Sequence, residues 1–335
     1  MASSSSTFSS MFSVSLCSLS SSMPKDCRPY GFLVSPPQPN VVPERLINKN
    51  SFRLRRACGV VGQDSTSNKR YDSSRTKALM GCAPMGALPK KKVEVFETEE
   101  DMAMSLAKYI ADLSSKFIKE RGLFSIVLSG GTLIQSLRKL VEPPYISSIE
   151  WSKWHVFWVD ERVVREHHVD SNYRVAFDAF LSRVPILLAN VHNINDALSA
   201  ESAADEYETR IKNLAYKKVV DTSSVTGLPK FDLILLGMGP DGHVASLFPG
   251  HPAIWEKQKW VTSITDSPKP PPQRITFTFP LINSSSHVAL VVCGAGQSTA
   301  VRTALGKSKI ADTLPVKMVS PEQQLNWFLD KNAAF

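Results

Sequence analysis

The chain predicts an α/β fold, a three-layer domain with a mostly parallel sheet and helices on both faces. Three observations carry that reading. From Lys92 onward, short apolar runs alternate with segments of helical period, the pattern that builds parallel strand–helix–strand units. Several of those runs are apolar without interruption, as strands covered on both faces are. They end in glycine-rich or charged loops, and in open α/β sheets ligands bind at that end of the strands.

The elements follow in order. Val93–Phe96 reads as a short strand. Thr98 caps a helix with Asp101 at its third position and Met102, Leu106, Tyr109, Ile110, Leu113 and Phe117 along one face. Phe124–Ser129 is a buried strand ending in Gly130-Gly131-Thr132, which opens a helix to about Val141. Trp154–Asp160 is a third strand, closing on Asp160-Glu161-Arg162. Ser171 caps the next helix, and Ser199 opens another that runs to about Tyr216. Further strands are expected from Phe231, over Ile275–Phe279, Val288–Cys293 and Val316–Val319. Ser320-Pro321-Glu322-Gln323 then has the form of a capping box that starts a last helix.

Composition divides the chain. Residues 1–75 are rich in Ser, carry scattered Pro and Arg, and lack apolar periodicity, as an organelle transit peptide and linker do. No charge precedes Lys25, and Ser interrupts every candidate apolar core, which excludes a secretory signal and favours chloroplast import. Through Arg70 the net charge is +6 of the whole chain's +8, so the basic balance belongs to the leader and does not point to nucleic acid. Residues 90–333 are expected to form a single catalytic domain. No apolar stretch approaches the ~20 residues that span a bilayer. Of five cysteines only Cys293 falls in the folded part, which leaves no disulfide framework or paired-cysteine metal site there. The expected chain is a monomer or weak homo-oligomer that needs neither metal nor cofactor.

The most informative segment is Phe231–Pro249, FDLILLGMGPDGHVASLFP. Its apolar run meets Gly237, Gly239 and Gly242, a spacing also found in dinucleotide-binding turns. Pro240 and Asp241 replace the small residues that would open the helix, and no acidic residue closes a following strand, so that reading is set aside. The loop delivers Asp241 and His243 two residues apart, as acid–base chemistry requires, although a histidine here could equally cap a helix. Ser129-Gly130-Gly131-Thr132 suits an anion such as phosphate, because glycines let backbone N–H groups approach a ligand at a helix start. Arg162, and more weakly Arg274, offer guanidinium contacts to a phosphate or carboxylate. No Ser nucleophile elbow occurs, so water is the expected nucleophile.

GMGPDGHVASLFPGHP, with the SGG and DER loops and the later RITFTFPLIN and LPVKMVSPEQQLNWFLD, resembles the 6-phosphogluconolactonase family from about Val93 to Asn332. The resemblance implies a modified Rossmann-like fold related to glucosamine-6-phosphate deaminase and ribose-5-phosphate isomerase. It also implies hydrolysis of 6-phospho-D-glucono-1,5-lactone in the oxidative pentose phosphate pathway, here in a plastid-targeted plant member. On this basis His243 is the general base with Asp241 beside it, and N–H groups of Gly239–Gly242 steady the oxyanion. Gly130, Gly131 and Thr132 form the phosphate loop, while Arg162 and Arg274 lie near substrate. Two departures stand out: SGGTLI replaces a frequent SGGSTP, and Gln297 occupies a region where many members carry lysine. The rival readings are a sugar-phosphate isomerase or deaminase and a non-catalytic sugar-phosphate sensor. Deaminases place a carboxylate after the histidine, where this chain has Ala245-Ser246-Leu247-Phe248-Pro249.

Overall fold

A computed structural model of the chain describes residues 89–306 and 314–335; the expected leader, residues 1–75, lies outside them. Six strands form one parallel sheet: β1 (Lys90–Phe96), β2 (Phe124–Leu128), β3 (Trp154–Trp158), β7 (Leu233–Leu236), β10 (His287–Val292) and β11 (Gln324–Asp330). Their order is β1-β11-β10-β7-β2-β3. A smaller antiparallel sheet is built from β4 (Asp160–Arg162), β9 (Arg274–Phe277) and β8 (Val261–Ile264). A two-residue pair, β5 (Asp221–Thr222) and β6 (Pro229–Lys230), completes the strands.

Each face of the large sheet has its own core, as strands buried on both faces demand. On one face, helix Glu99–Arg121 sets Met102, Leu106, Ile110 and Phe117 against Phe124, Ile126, Trp154 and Phe328. On the other, helix Ala200–Tyr216 sets Ala203, Tyr207 and Ile211 among Val127, Phe157, Ile234, Trp327 and the small sheet's Phe277. The predicted caps form: Thr98 accepts from Asp101 N (3.1 Å), Ser171 from Arg174 N (3.2 Å) and Ser199 from Ser202 N (3.3 Å). Gly122, at φ 81°, ends the first helix in the left-handed conformation that suits glycine.

Several expectations need correction. Val316–Val319 is no strand: Pro315–Met318 is a 3₁₀ turn whose Val316 N donates to Gly242 O (3.1 Å). No helix follows the Ser320–Gln323 capping box. The chain instead enters β11, which pairs with β1 on one side and β10 on the other. Leu325, Trp327 and Leu329 pack on one face and Phe328 on the other, a period of two that only a strand satisfies. Asp160-Glu161-Arg162 is itself a strand, and Arg274–Thr276 pairs with it outside the parallel sheet. The helix expected from Thr132 to Val141 is a single α turn, Leu133–Ser136, followed by a 3₁₀ segment. Among the described residues, no helix is long and apolar enough to cross a membrane.

Candidate active site

From β2 the chain moves outward to β3; from β7 it moves the opposite way, towards β10 and β11. That reversal opens a crevice above the carboxyl ends of β2 and β7, where open sheets hold ligands. The two strands are stitched together at their starts, where the buried Asp232 carboxylate accepts from Ser125 N (2.7 Å) and Ser125 Oγ (2.9 Å). The crevice therefore receives Ser129–Thr132 from β2 and Gly237–His243 from β7. Small-sheet residues Asp160, Arg162 and Arg274 line it too, together with Ala245, Cys293 and Gln297. Its volume is about 150 Å³, below the ~300–1,000 Å³ of drug-sized sites, which suits a small polar metabolite better than a dinucleotide.

His243 Nδ1 lies 2.6 Å from Asp241 Oδ1, so the ring donates Nδ1–H to the carboxylate. Nε2 is then the basic nitrogen, and no protein group among the described residues bonds it. Asp241 does not line the cleft; it stands behind the ring and holds its tautomer. Burial pushes the His243 pKa below the ordinary imidazole value, Asp241 partly opposes this, and the positive charge of Lys269 adds to it. The ring is therefore neutral and basic at neutral pH. Burial works to raise the Asp241 pKa, but the hydrogen bond from His243 and the charge of Lys269 hold it below the usual range.

Gly239 is required for this geometry. A Cβ there would fall 2.1 Å from His243 Cε1 and 2.6 Å from Asp241 Oδ1. Gly239 N donates to His243 O (3.0 Å) and Gly242 N to Gly239 O (2.9 Å), which closes the turn. These two of the loop N–H groups expected to steady an oxyanion are therefore spent within the turn. After the histidine, Ala245 adopts φ 51°, a strained position for a non-glycine residue at the cleft wall. Cys293 reaches the cleft too, but burial first, with nearby carboxylates, pushes its thiol up to about 12, too high for a useful nucleophile.

The side of the cleft expected to hold an anion draws on both sheets. The backbone N–H groups of Gly130, Gly131 and Thr132 have no acceptor within the described protein, and Gly131 sits at φ 75°. Thr132 makes no side-chain cap. A Cβ on Gly130 would fall 1.9 Å from Asn172 Oδ1, so glycine is required there as well. Arg162 and Arg274 are direct partners across the β4–β9 ladder. Two like charges so placed repel, and burial followed by the charge of Arg162 lowers the Arg274 pKa. Arg162 Nη1 donates to Asp170 O (2.8 Å), while its Nε is buried without a partner and Nη2 makes no hydrogen bond in the described protein. Apart from the buried Nε, Nη2 is thus the guanidinium nitrogen left without a protein partner among the described residues.

Arg274 differs. Its Nε donates to Pro271 O (3.0 Å), Nη2 to Lys269 O (2.8 Å) and Pro270 O (3.0 Å), and Nη1 to Ser246 Oγ (3.3 Å). Glu161, 1% exposed, faces away from the cleft. It accepts from the backbone N–H groups of Arg162, Asn172 and Tyr173 at 2.7–2.8 Å, anchoring the start of helix Asn172–Ala179. Burial pushes its carboxyl up to about 7 against those bonds. The Gln297 amide, with nitrogen towards Cys293 O (2.9 Å) and Gly294 O (3.0 Å), brings no charge.

The fold thus gathers Gly130, Gly131, Thr132, Arg162, Arg274 and His243 on one cleft, with Asp241 directly behind. Sequence reasoning missed Asp160, Ser246 and Lys269. Asp160 is buried, accepting from Ser246 Oγ (2.9 Å) and Ser129 Oγ (3.4 Å), so it joins all three loops. Its signal was a carboxylate ending an apolar run. Lys269 signalled itself only as one cation among four prolines.

Residues 97–327 match the family model described as glucosamine-6-phosphate isomerases/6-phosphogluconolactonase. The chain is 58% identical over 274 residues to 6-phosphogluconolactonase 3, chloroplastic, of Arabidopsis thaliana, covering 82% of this chain and 83% of that one. The structure of 6-phosphogluconolactonase from Thermotoga maritima aligns with TM-score 0.61 at 29% identity, over 72% of this chain and all of that one. A monomeric glucosamine-6-phosphate deaminase shares the fold, with TM-score 0.59 at 20% identity, over 72% of this chain and 98% of that one.

Proposed function

The chain belongs to the glucosamine-6-phosphate isomerase/6-phosphogluconolactonase family, and from that premise we propose that it hydrolyses 6-phospho-D-glucono-1,5-lactone to 6-phospho-D-gluconate, with His243 as general base. The observation that carries the proposal is the pairing, on one small cleft, of a tautomer-fixed neutral histidine with an unpaired anion site. The substrate's 6-phosphate rests on the free N–H groups of Gly130, Gly131 and Thr132 and on Arg162 Nη2. Arg274 adds long-range positive charge. The lactone ring then lies against the loop after β7. His243 Nε2 takes a proton from water as the oxygen attacks C1. The same proton passes to the ring oxygen as the C1–O bond breaks.

The reaction belongs to the oxidative pentose phosphate pathway. The chain acts in the chloroplast, in keeping with its chloroplastic relative and the Ser-rich, acid-poor make-up of residues 1–75. Residues 1–75 as leader and linker, 90–333 as one catalytic domain, and a monomer or weak homo-oligomer complete the proposal.

Purified protein given fresh lactone should release acid far faster than the spontaneous reaction, and should release no ammonia from glucosamine 6-phosphate. Ammonia release would favour the deaminase reading, and inertness towards both a sensor. His243→Ala should lower turnover by about 10²–10⁴-fold with KM little changed. Wild-type turnover in that variant would remove His243 from the mechanism.

A further inference from the structure

We propose that Lys269 is a positioning residue for this reaction, acting through the Asp241–His243 pair against which its ammonium is held. The inference rests on the reading of His243 as general base. Lys269 Nζ lies 3.6 Å from Asp241 Oδ1 and 3.4 Å from His243 Nδ1. One carboxylate oxygen is thus shared by the imidazole N–H and the ammonium, which fixes Asp241 from two sides. Lys269 is not among the residues lining the cleft and meets the ring on its Nδ1 side, away from the basic Nε2.

The loop that carries it is built to stay in place. Pro268, Pro270, Pro271 and Pro272 surround the lysine and restrict its backbone, so ordering it costs little. Ser267 Oγ donates to Lys269 O (2.9 Å), and Ser267 N to Pro272 O (3.2 Å). Arg274 clasps the carbonyls of Lys269, Pro270 and Pro271 with three donations. A guanidinium used this way is a fastener for the loop, which explains why it lies so close to Arg162 without having that residue's unpartnered Nη2.

The charges facing the His243 ring are Asp241 and Lys269 at its Nδ1 side and Asp160 at longer range. Arg274 lies across the Phe248 ring, its guanidinium 5.7 Å from that centroid and His243 4.6 Å. Asp241 and Asp160 favour the protonated imidazole; Lys269 disfavours it. Lysine therefore keeps the base free of protons on the acid side of neutrality, while its grip on Asp241 holds the ring in line.

The test compares wild type, Lys269→Met and Lys269→Arg by the pH profile of kcat/KM and by NMR titration of the His243 ring. In Lys269→Met the acid limb and the His243 titration should both move up by about one pH unit. Turnover then falls several-fold near pH 6, the deficit shrinks at alkaline pH, and KM stays within about twofold. Lys269→Arg should keep the wild-type limb. An unmoved His243 titration in Lys269→Met overturns the proposal, as does a raised KM with an unmoved limb, the mark of a phosphate contact. The NMR readout reports on the ring even where turnover is lost. If His243→Ala keeps wild-type turnover, the reading of the base has failed; if it is inactive while Lys269→Met is unshifted, only the lysine proposal has.

Discussion

At the scale of single residues, the site depends on atoms that are absent. Gly239 leaves room for two side chains that would otherwise collide with its Cβ, and Gly130 does the same for Asn172. Gly239→Ala should therefore displace His243 from Asp241 and lower kcat by about 10²-fold, the cost of a misplacement near 1 Å. Far-ultraviolet circular dichroism should be unchanged, since the strands do not depend on that residue. Full activity in Gly239→Ala would show that the turn has slack its packing does not suggest. The DGH triplet was legible in the sequence because glycine, carboxylate and imidazole sit on one short turn, where spacing along the chain is spacing in space. Lys269 was not legible, because it reaches the same two side chains from 26 residues away.

At the scale of elements, the capping box at Ser320–Gln323 is instructive. Local preference there favours a helix, yet the chain forms β11. The vacancy between β1 and β10 accepts a strand buried on both faces: Leu325, Trp327 and Leu329 fill one core, and Phe328 the other beside buried Asn326. Glu322, expected to cap, instead accepts from Lys230 Nζ (2.6 Å) and also pairs with Ser223. Burial of Trp327 is central to that outcome. Trp327→Ala should cost about 3–5 kcal/mol of stability, read as a fall in the urea midpoint. A loss under 1 kcal/mol, the size of a surface change, would mean that β11 is held by its ladder bonds alone. The β4–β9 pair makes a parallel point. Arg162 and Arg274 each suggested an anion contact, but only the ladder register shows them side by side with different duties.

At the scale of the whole molecule, two cores enclose buried histidines that stay neutral, and stability follows pH accordingly. His287, at the start of β10, has its pKa pushed down to about 4, by burial above all, and its Nδ1 has no partner. The unfolded chain binds a proton there below about 6.5 while the native state does not, so stability is lost as pH falls from about 6.5 to 4. His287→Phe, which keeps the ring beside Phe117, should remove this slope. Relative to the variant, wild type should lose up to about 3 kcal/mol between those pH values; parallel urea titrations that keep a constant gap would contradict it. Taken as a whole, the sequence alone determined the fold class, the helix caps at Thr98, Ser171 and Ser199, and the glycine loops. Those depend on apolar period and on backbone freedom, which act within a few neighbours. The tertiary structure alone decided that β11 is central, that Asp160 ties three loops together, that the Gly239 and Gly242 amides are spent, and that Arg274 holds a loop. Each of these is a choice between partners far apart in the chain. Sheet register and the packing of two cores make such choices, and no local preference encodes them.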